Sequence, residues 1–286
     1  MSVKFGPAGN SDLFYRQGHK SSSEAPEWIH NMGLDAYEYP CSRGVNIGEE
    51  RAKEIGRNAK KFNIEVSIHA PYYINLASQE KQKLENSIDY IVNSAKVAQW
   101  MGAKVVVVHP GSCAKIDRSL AMDTAKKTLR RALDALKDMQ LDDVLVCPET
   151  MGKKNQLGSM DEIMELCSID ERIIPTIDFG HVNALGQGCL KNKDDYRRVL
   201  DTIKDRLGEY RLKNIHCHFS RIEYTKAGEK KHWTLADTQF GPEFDPLAEL
   251  LIEYDMCSVI ICESMKTMAE DALKLKTIYE SMLHKK

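Results

Sequence analysis

Residues 104–109 read KVVVVH and residues 144–149 read VLVCPE. Each is a short apolar run, rich in β-branched residues, that stops on a side chain able to bind a proton or a metal ion. Unbroken apolar runs of this length belong to strands buried on both faces of a parallel sheet, since neither face meets water. The pattern recurs outward in both directions. Before these runs lie SVKFGP from Ser2, AYEY from Ala36 and IEVSIH ending at His69; after them lie IIPTID ending at Asp178, KNIHCHF around His216 and VIICE ending at Glu263. Between them run stretches of helical pattern, among them EERAKEIGRNAKKF, QKLENSIDYIVNSAKVAQWMG and RSLAMDTAKKTLRRALDALKDM. Eight strands alternating with eight helices predict a single α/β domain over residues 1–286, a (β/α)8 barrel near the usual size of about 250 residues. An open doubly wound sheet is the rival architecture. Its usual glycine-rich first turn, G-x-G-x-x-G, is missing from GPAGNSDLF.

Composition acts mainly by exclusion. A chain that is 42% hydrophobic and 29% charged reads as globular with a sizeable core. No apolar run approaches the roughly 20 residues that span a bilayer. MSVKFGPAGNSD also lacks the basic start and apolar stretch of a signal peptide, so a cytoplasmic protein without a membrane partner is expected. The eight cysteines include no C-x-x-C pair, and Cys147, Cys217 and Cys262 fall inside apolar runs, which predicts buried thiols rather than disulfides. A formal charge of −2 gives no general attraction to nucleic acid. A polyanion would have to be held by a local basic surface or by bound metal.

The strand ends carry the chemistry. Runs three to eight stop, in order, on His69, His109, Glu149, Asp178, His216 and Glu263. In a barrel the C-terminal strand ends share one face, so these six side chains converge. One such residue is usually an ordinary cap or a satisfied polar group; six in succession are not. The carboxylates of Glu149, Asp178 and Glu263 would repel one another unless cations lay between them. His181 follows in DFGH, His218 in HCHF and His232 in the loop after run seven. His216 and His218 point the same way on an extended strand, which makes His218 a further ligand or a group that orients one. Imidazole and carboxylate without clustered thiolate suit Zn, with Mn or Fe as alternatives. So many ligands fit two or three ions better than one, and multi-metal sites of this kind favour phosphoester hydrolysis.

HAPYYINL from His69, VVHPG around His109, PET at Glu149 with QLG after it, DFGH at Asp178 and ICES at Glu263 resemble, in order, the endonuclease IV family. The resemblance covers essentially the whole chain. It implies a (β/α)8 barrel within the xylose isomerase-like superfamily, three zinc ions, and hydrolysis of duplex DNA 5′ to abasic sites in base excision repair. It further implies that His69, His109 and Glu149 hold one zinc, and that Glu149 bridges to a second held by Asp178, His216 and Glu263. His181 and His232 would belong to the third, and Glu149 would be catalytic, orienting the nucleophile. Two departures stand out. The family's Asp-x-His motif is GEKKHWTL here, with Lys230 in the aspartate's place, so that Glu229 with a shifted backbone or His218 would have to substitute. The His-x-Asn-Asp of strand seven is likewise absent, and no clear copy of the early DNA-penetrating loop is present.

Tyr72 and Tyr73 are candidates to stack on or wedge into DNA, with rim packing as their ordinary reading. Lys153, Lys154, Arg221, Lys226, Lys230 and Lys231 are candidate phosphate contacts, though lysine runs are commonly solvated loops. The alternative function is a divalent-metal sugar isomerase or epimerase, which would need only the Glu149, Asp178, His216 and Glu263 set and a small sugar as substrate. A monomer is expected.

Overall fold

The computed structural model describes residues 3–113 and 116–284; Ser2, where the sequence places the start of the first strand, lies outside them. Eight parallel strands form two four-stranded sheets. One contains β2 (Ala36–Pro40), β3 (Glu65–His69), β4 (Val105–Val108) and β5 (Leu145–Pro148). The other is ordered β1 (Lys4–Pro7), β10 (Val259–Cys262), β7 (His216–Phe219) and β6 (Thr176–Asp178). The remaining strands, β8 (Arg221–Thr225) and β9 (Gly228–Trp233), form a hairpin after β7. Single parallel bridges, Ala8 to Glu38 and Glu149 to Thr176, join the sheets at both seams. With those seams the eight strands make the ring of a TIM barrel.

The helices expected from sequence are present, including Glu49–Lys61, Lys81–Met101, Arg118–Asp138, Lys193–Leu207 and Met268–Leu283. They bury one stripe against the strands: Ile91, Val92, Ala95 and Ala98 on one helix, Leu129, Ala132 and Leu136 on the next. Three short helices, Asp12–Arg16, Phe179–Leu185 and Glu209–Lys213, and the β8–β9 hairpin go beyond the sequence pattern. None of the eight cysteines is in a disulfide, and Cys147, Cys217 and Cys262 are buried. Among the described residues, no helix is long and apolar enough to cross a membrane.

Close packing between the outer helices depends on Gly56. A Cβ there would sit 2.7 Å from the carbonyl oxygen of Met101 and 2.9 Å from its carbonyl and α carbons, all backbone atoms with little room to yield. Helix propensity alone would favour Gly56→Ala by roughly 1 kcal/mol. The clash, of the order of 1–3 kcal/mol for overpacking, is expected to reverse that sign. A lower urea midpoint for Gly56→Ala with an unchanged slope is the expected result; a raised midpoint would show that the two helices separate at little cost.

Candidate metal and catalytic site

The strand ends converge as the barrel requires, around Glu149. This residue follows β5 and is fully buried. Its Oε2 lies 3.0 Å from Nε2 of His109 and 3.5 Å from Nε2 of His69. Its Oε1 lies 3.0 Å from Nδ1 of His218 and 3.5 Å from Nδ1 of His181. Asp178, at the end of β6, caps the Phe179–Leu185 helix by accepting the amide of His181 at Oδ1, which leaves Oδ2 3.3 Å from the His181 ring. Glu263, after β10, places Oε1 3.5 Å from Nδ1 of His218 and Oε2 3.8 Å from Nδ1 of His232.

Strand seven requires a correction. The sequence reading puts His216 at the end of this strand with Asp178 and Glu263, but β7 begins at His216 and runs on to Phe219. The register pairs Asp178 with His218 and pairs Thr176 with His216. His218 is therefore level with the other strand ends. His216, two residues lower on the same face, points into a deeper layer and bonds to Glu38 through Nε2 at 2.8 Å.

The loops complete the arrangement. On a regular strand Glu229 and His232, three residues apart, would face opposite ways. In the hairpin Tyr224 pairs with Glu229 but Glu223 pairs with Lys231, so Lys230 is an extra, bulged residue. A bulge re-aims side chains, and here it turns Glu229 and His232 to one side. Glu229 Oε2 comes within 3.3 Å of His181 Nε2, and its Oε1 within 3.9 Å of His232 Nε2. The loop after β5 anchors the hairpin by accepting, at the Gly152 carbonyl, a hydrogen bond from the Glu229 backbone N–H at 2.8 Å. Gly152 is needed there, since a Cβ would lie 2.6 Å from Cβ of Glu229.

Ring orientation is set from outside the cluster. His69 Nδ1 donates to the Ala70 carbonyl at 2.8 Å and His181 Nδ1 to the Thr150 carbonyl at 2.9 Å, which turns each Nε2 inward. His232 Nδ1 is 2.8 Å from Ser220 Oγ. The charges are strongly perturbed. Burial opposes ionisation of Glu149, yet the imidazoles of His218, His109 and His181 hold it well below the usual carboxylate range. Burial, with Glu149 and Asp178 nearby, pushes Glu263 up to about 8 although His218 opposes this. Burial works against charge on His181 and His218 too, but the facing carboxylates keep both well above the ordinary histidine range.

Four groups of ligand atoms each lie within 4.8 Å of one another: His69, His109, Glu149; Glu149, Asp178, His218, Glu263; His181, Glu229, His232; and Glu38, His216, His218. Glu149 Oε2 and Asp178 Oδ2 are buried without a hydrogen-bond partner. Separations of 3.0–3.5 Å from Glu149 to Nε2 of His69, Nε2 of His109 and Nδ1 of His218 match the roughly 3.3 Å between ligands of a tetrahedral ion with bonds of about 2.0 Å. The donor set fits divalent cations.

Cavities of about 270 and 370 Å³ open on either side of Glu263, the first reaching His69, His109 and Tyr72, the second His232 and Lys231. A larger depression of about 740 Å³ lies beside Glu65 and Lys104, where β3 starts and β4 is about to start, and contains no ligand cluster. Tyr72 and Tyr73 are exposed, with ring centroids 4.4 Å apart. Lys153 is exposed, its Nζ 3.7 Å from Glu229 Oε1. Lys230 pairs with Glu223 at 2.6 Å, and Lys231 lies over Trp233. Arg221 is not a free phosphate contact: its guanidinium is buried and bonded to Glu243 and to the carbonyls of Asp237 and Phe240.

Sequence reasoning missed Glu38. The signal was a lone carboxylate inside the apolar run AYEY, and its side chain is fully buried beneath the cluster.

A TIM barrel with imidazoles and carboxylates gathered at its C-terminal mouth defines the class. The chain belongs to the xylose isomerase-like TIM barrel family, whose model matches residues 26–278. It is 34% identical over 259 residues to an uncharacterized protein of Methanocaldococcus jannaschii, covering 91% of this chain and 92% of that one. It is 31% identical over 193 residues to the probable endonuclease 4 of Mycoplasma pneumoniae, covering 65% and 63% of the two chains. The alignment thus spans just under two thirds of that endonuclease. Among solved structures, a D-tagatose 3-epimerase-like protein aligns with a TM-score of 0.74 at 21% identity, over 99% and 97% of the chains. Endonuclease IV from Thermus thermophilus aligns with a TM-score of 0.72 at 18% identity, over 99% and 100%. These two likenesses are of fold.

The bulge and the glycine allow a paired test. Deleting Lys230 makes the ladder continuous while leaving Glu229 and His232 on one face, so the variant should unfold within about 1 kcal/mol of the wild type. Gly152→Ala must displace Glu229 and should cost about 1–3 kcal/mol. Denaturation midpoints of both variants provide the comparison, and equal effects would sink the account of how Glu229 is held.

Proposed function

We propose that the protein is a metal-dependent phosphodiesterase of the endonuclease IV type, acting on duplex DNA 5′ to abasic sites. The observation carrying this reading is the group His181, Glu229 and His232, brought together by the Lys230 bulge beside a cluster already centred on Glu149. A sugar isomerase would need only Glu149, Asp178, His218 and Glu263, leaving His69, His109, His181, Glu229 and His232 without a role. The similarity to probable endonuclease 4 points the same way.

In this reading His69, His109 and Glu149 hold one cation, Glu149, Asp178, His218 and Glu263 a second, and His181, Glu229 and His232 a third. Zinc suits the ligands, and the ions supply an activated water and neutralise charge on the phosphoryl group. Glu149 would serve both groups, since Oε2 faces His109 and Oε1 faces His218. Its burial excludes bulk water, and its charged form is ready to accept a hydrogen bond from the attacking water. Tyr72 and Tyr73 stand at the mouth as stacking surfaces for an unstacked base, and Lys153 and Lys231 offer phosphate contacts.

The isomerase reading keeps one favourable observation. Glu149 and Glu263 are driven in opposite directions from the usual carboxylate range, which is the pattern of an acid–base pair. One experiment separates the two. Zinc-loaded protein is incubated with a duplex oligonucleotide carrying one abasic-site analogue, and metal content is measured on the same sample. Cleavage 5′ to the lesion is expected, abolished by chelation and reduced about 100- to 10,000-fold in Glu149→Gln, the range for loss of a group that accepts from the attacking water. No cleavage, with one ion per chain and turnover of a ketose, would overturn the proposal in favour of the isomerase.

Tyr72→Ala is expected to raise KM for the duplex about 5- to 150-fold, the worth of one stacking contact at about 1–3 kcal/mol, with kcat less affected. An unchanged KM would return Tyr72 to rim packing.

A further inference from the structure

Below the strand ends lies a buried polar layer that the proposed reaction does not use. Glu38 on β2 projects into the barrel opposite β7 and has no exposed surface. Its Oε2 accepts a hydrogen bond from Ser67 Oγ at 2.8 Å, on the neighbouring strand, and another from His216 Nε2 at 2.8 Å. Its Oε1 faces His218 Nε2 at 3.0 Å. That contact is at ion-pair distance but off the hydrogen-bonding line, and neither atom has another partner. The opposite nitrogen of the same ring, Nδ1, is the one directed at Glu149 and Glu263.

We infer that Glu38 is a positioning residue for metal binding, fixing the His218 ring so that Nδ1 is presented to the centre formed with Glu149, Asp178 and Glu263. The inference rests on the metal-dependent reading above. A buried carboxylate is costly unless it does something that an apolar residue cannot, and an apolar side chain at position 38 would fill a barrel interior equally well. A metal-ligating histidine usually gives its second nitrogen to a carboxylate, carbonyl or water, which fixes the tautomer and ring angle. His69 and His181 have backbone carbonyls in that role. His218 has none among its hydrogen bonds, and Glu38 occupies the corresponding place. Ser67 and His216 hold the carboxylate still, each bonded to the oxygen that does not face His218. This gives His216 a role: it clamps the group that orients the ligand two residues further along β7.

The test uses the full chain and Glu38→Gln, which keeps the shape but turns one acceptor into a donor. Turned toward His218 that donor would oppose Nε2–H; turned toward Ser67 and His216 it would require the hydroxyl and the imidazole to accept instead of donate. Zinc is withdrawn by chelator competition from both proteins, with circular dichroism confirming the fold. One ion per chain should leave Glu38→Gln at a 10- to 100-fold lower chelator strength, as expected for loss of an orienting partner, while the other ions leave as in the wild type. Identical titrations, or equal weakening of every ion, would overturn the inference while leaving the metal reading standing. A wild type that takes up no zinc would overturn both. Independently of the variant's folding, wild-type protein with ¹⁵N-labelled histidine and bound ¹¹³Cd should show metal coupling to Nδ1 of His218 and a proton on Nε2. Coupling through Nε2 would refute the assignment.

Discussion

A carboxylate without exposed surface costs several kcal/mol to keep ionised unless compensating charge or hydrogen-bond donors surround it, and imidazoles approach Glu149 from four directions. Imidazoles of His69 and His109 face one oxygen, and those of His181 and His218 face the other. These four rings come from β3, from the segment after β4, from the helix after β6 and from β7. Compensation of one charge therefore ties together both sheets of the barrel. The seam at Glu149 and Thr176 is also where those sheets meet. Removing the carboxylate would strip the rings of their common partner, and removing the rings would leave a buried anion.

The same balance means that protons and divalent cations would compete for this site. Glu38, Glu149, Asp178, Glu229 and Glu263 face six histidines. Without metal, protons on His69, His181 and His218 supply positive charge, since the facing carboxylates hold these three above their ordinary range despite burial, whereas burial pushes His109 and His232 below it. A metal ion can replace those protons because imidazole and carboxylate bind it in their deprotonated forms. The cluster is thus built for positive charge at its centre, whichever carrier supplies it.

The alternation of strand and helix, the barrel, and the convergence of His69, His109, Glu149, Asp178 and Glu263 were legible because each depends on local pattern. Parallel buried strands read as apolar runs, and their ends fall on one face by topology. What was not legible depends on register. HCHF offers two histidines on one face, and only the pairing of Asp178 with His218 selects the upper one. Glu229 was legible only as one of two possible substitutes for the missing aspartate, because the bulge that places it is a mismatch between two strands and neither strand alone reveals it. Glu38 was legible in principle, as a charge within an apolar run, but its partner lies 178 residues away.

The division between barrel and loop bears directly on function. The centre made by Glu149, Asp178, His218 and Glu263 hangs almost wholly on strand ends, where a closed barrel fixes geometry for any chemistry that uses one cation. The group of His181, Glu229 and His232 hangs on a short helix and a hairpin that the barrel does not require. Enzymes on this fold differ mainly in such segments, because loops can change without disturbing the core. The hairpin is anchored by the loop that follows β5, through the amide of Glu229 and the Gly152 carbonyl, and that loop begins just after Glu149. The hairpin that brings Glu229 and His232 to His181 is thereby held by the continuation of the strand that leads to Glu149, the carboxylate on which the whole cluster depends.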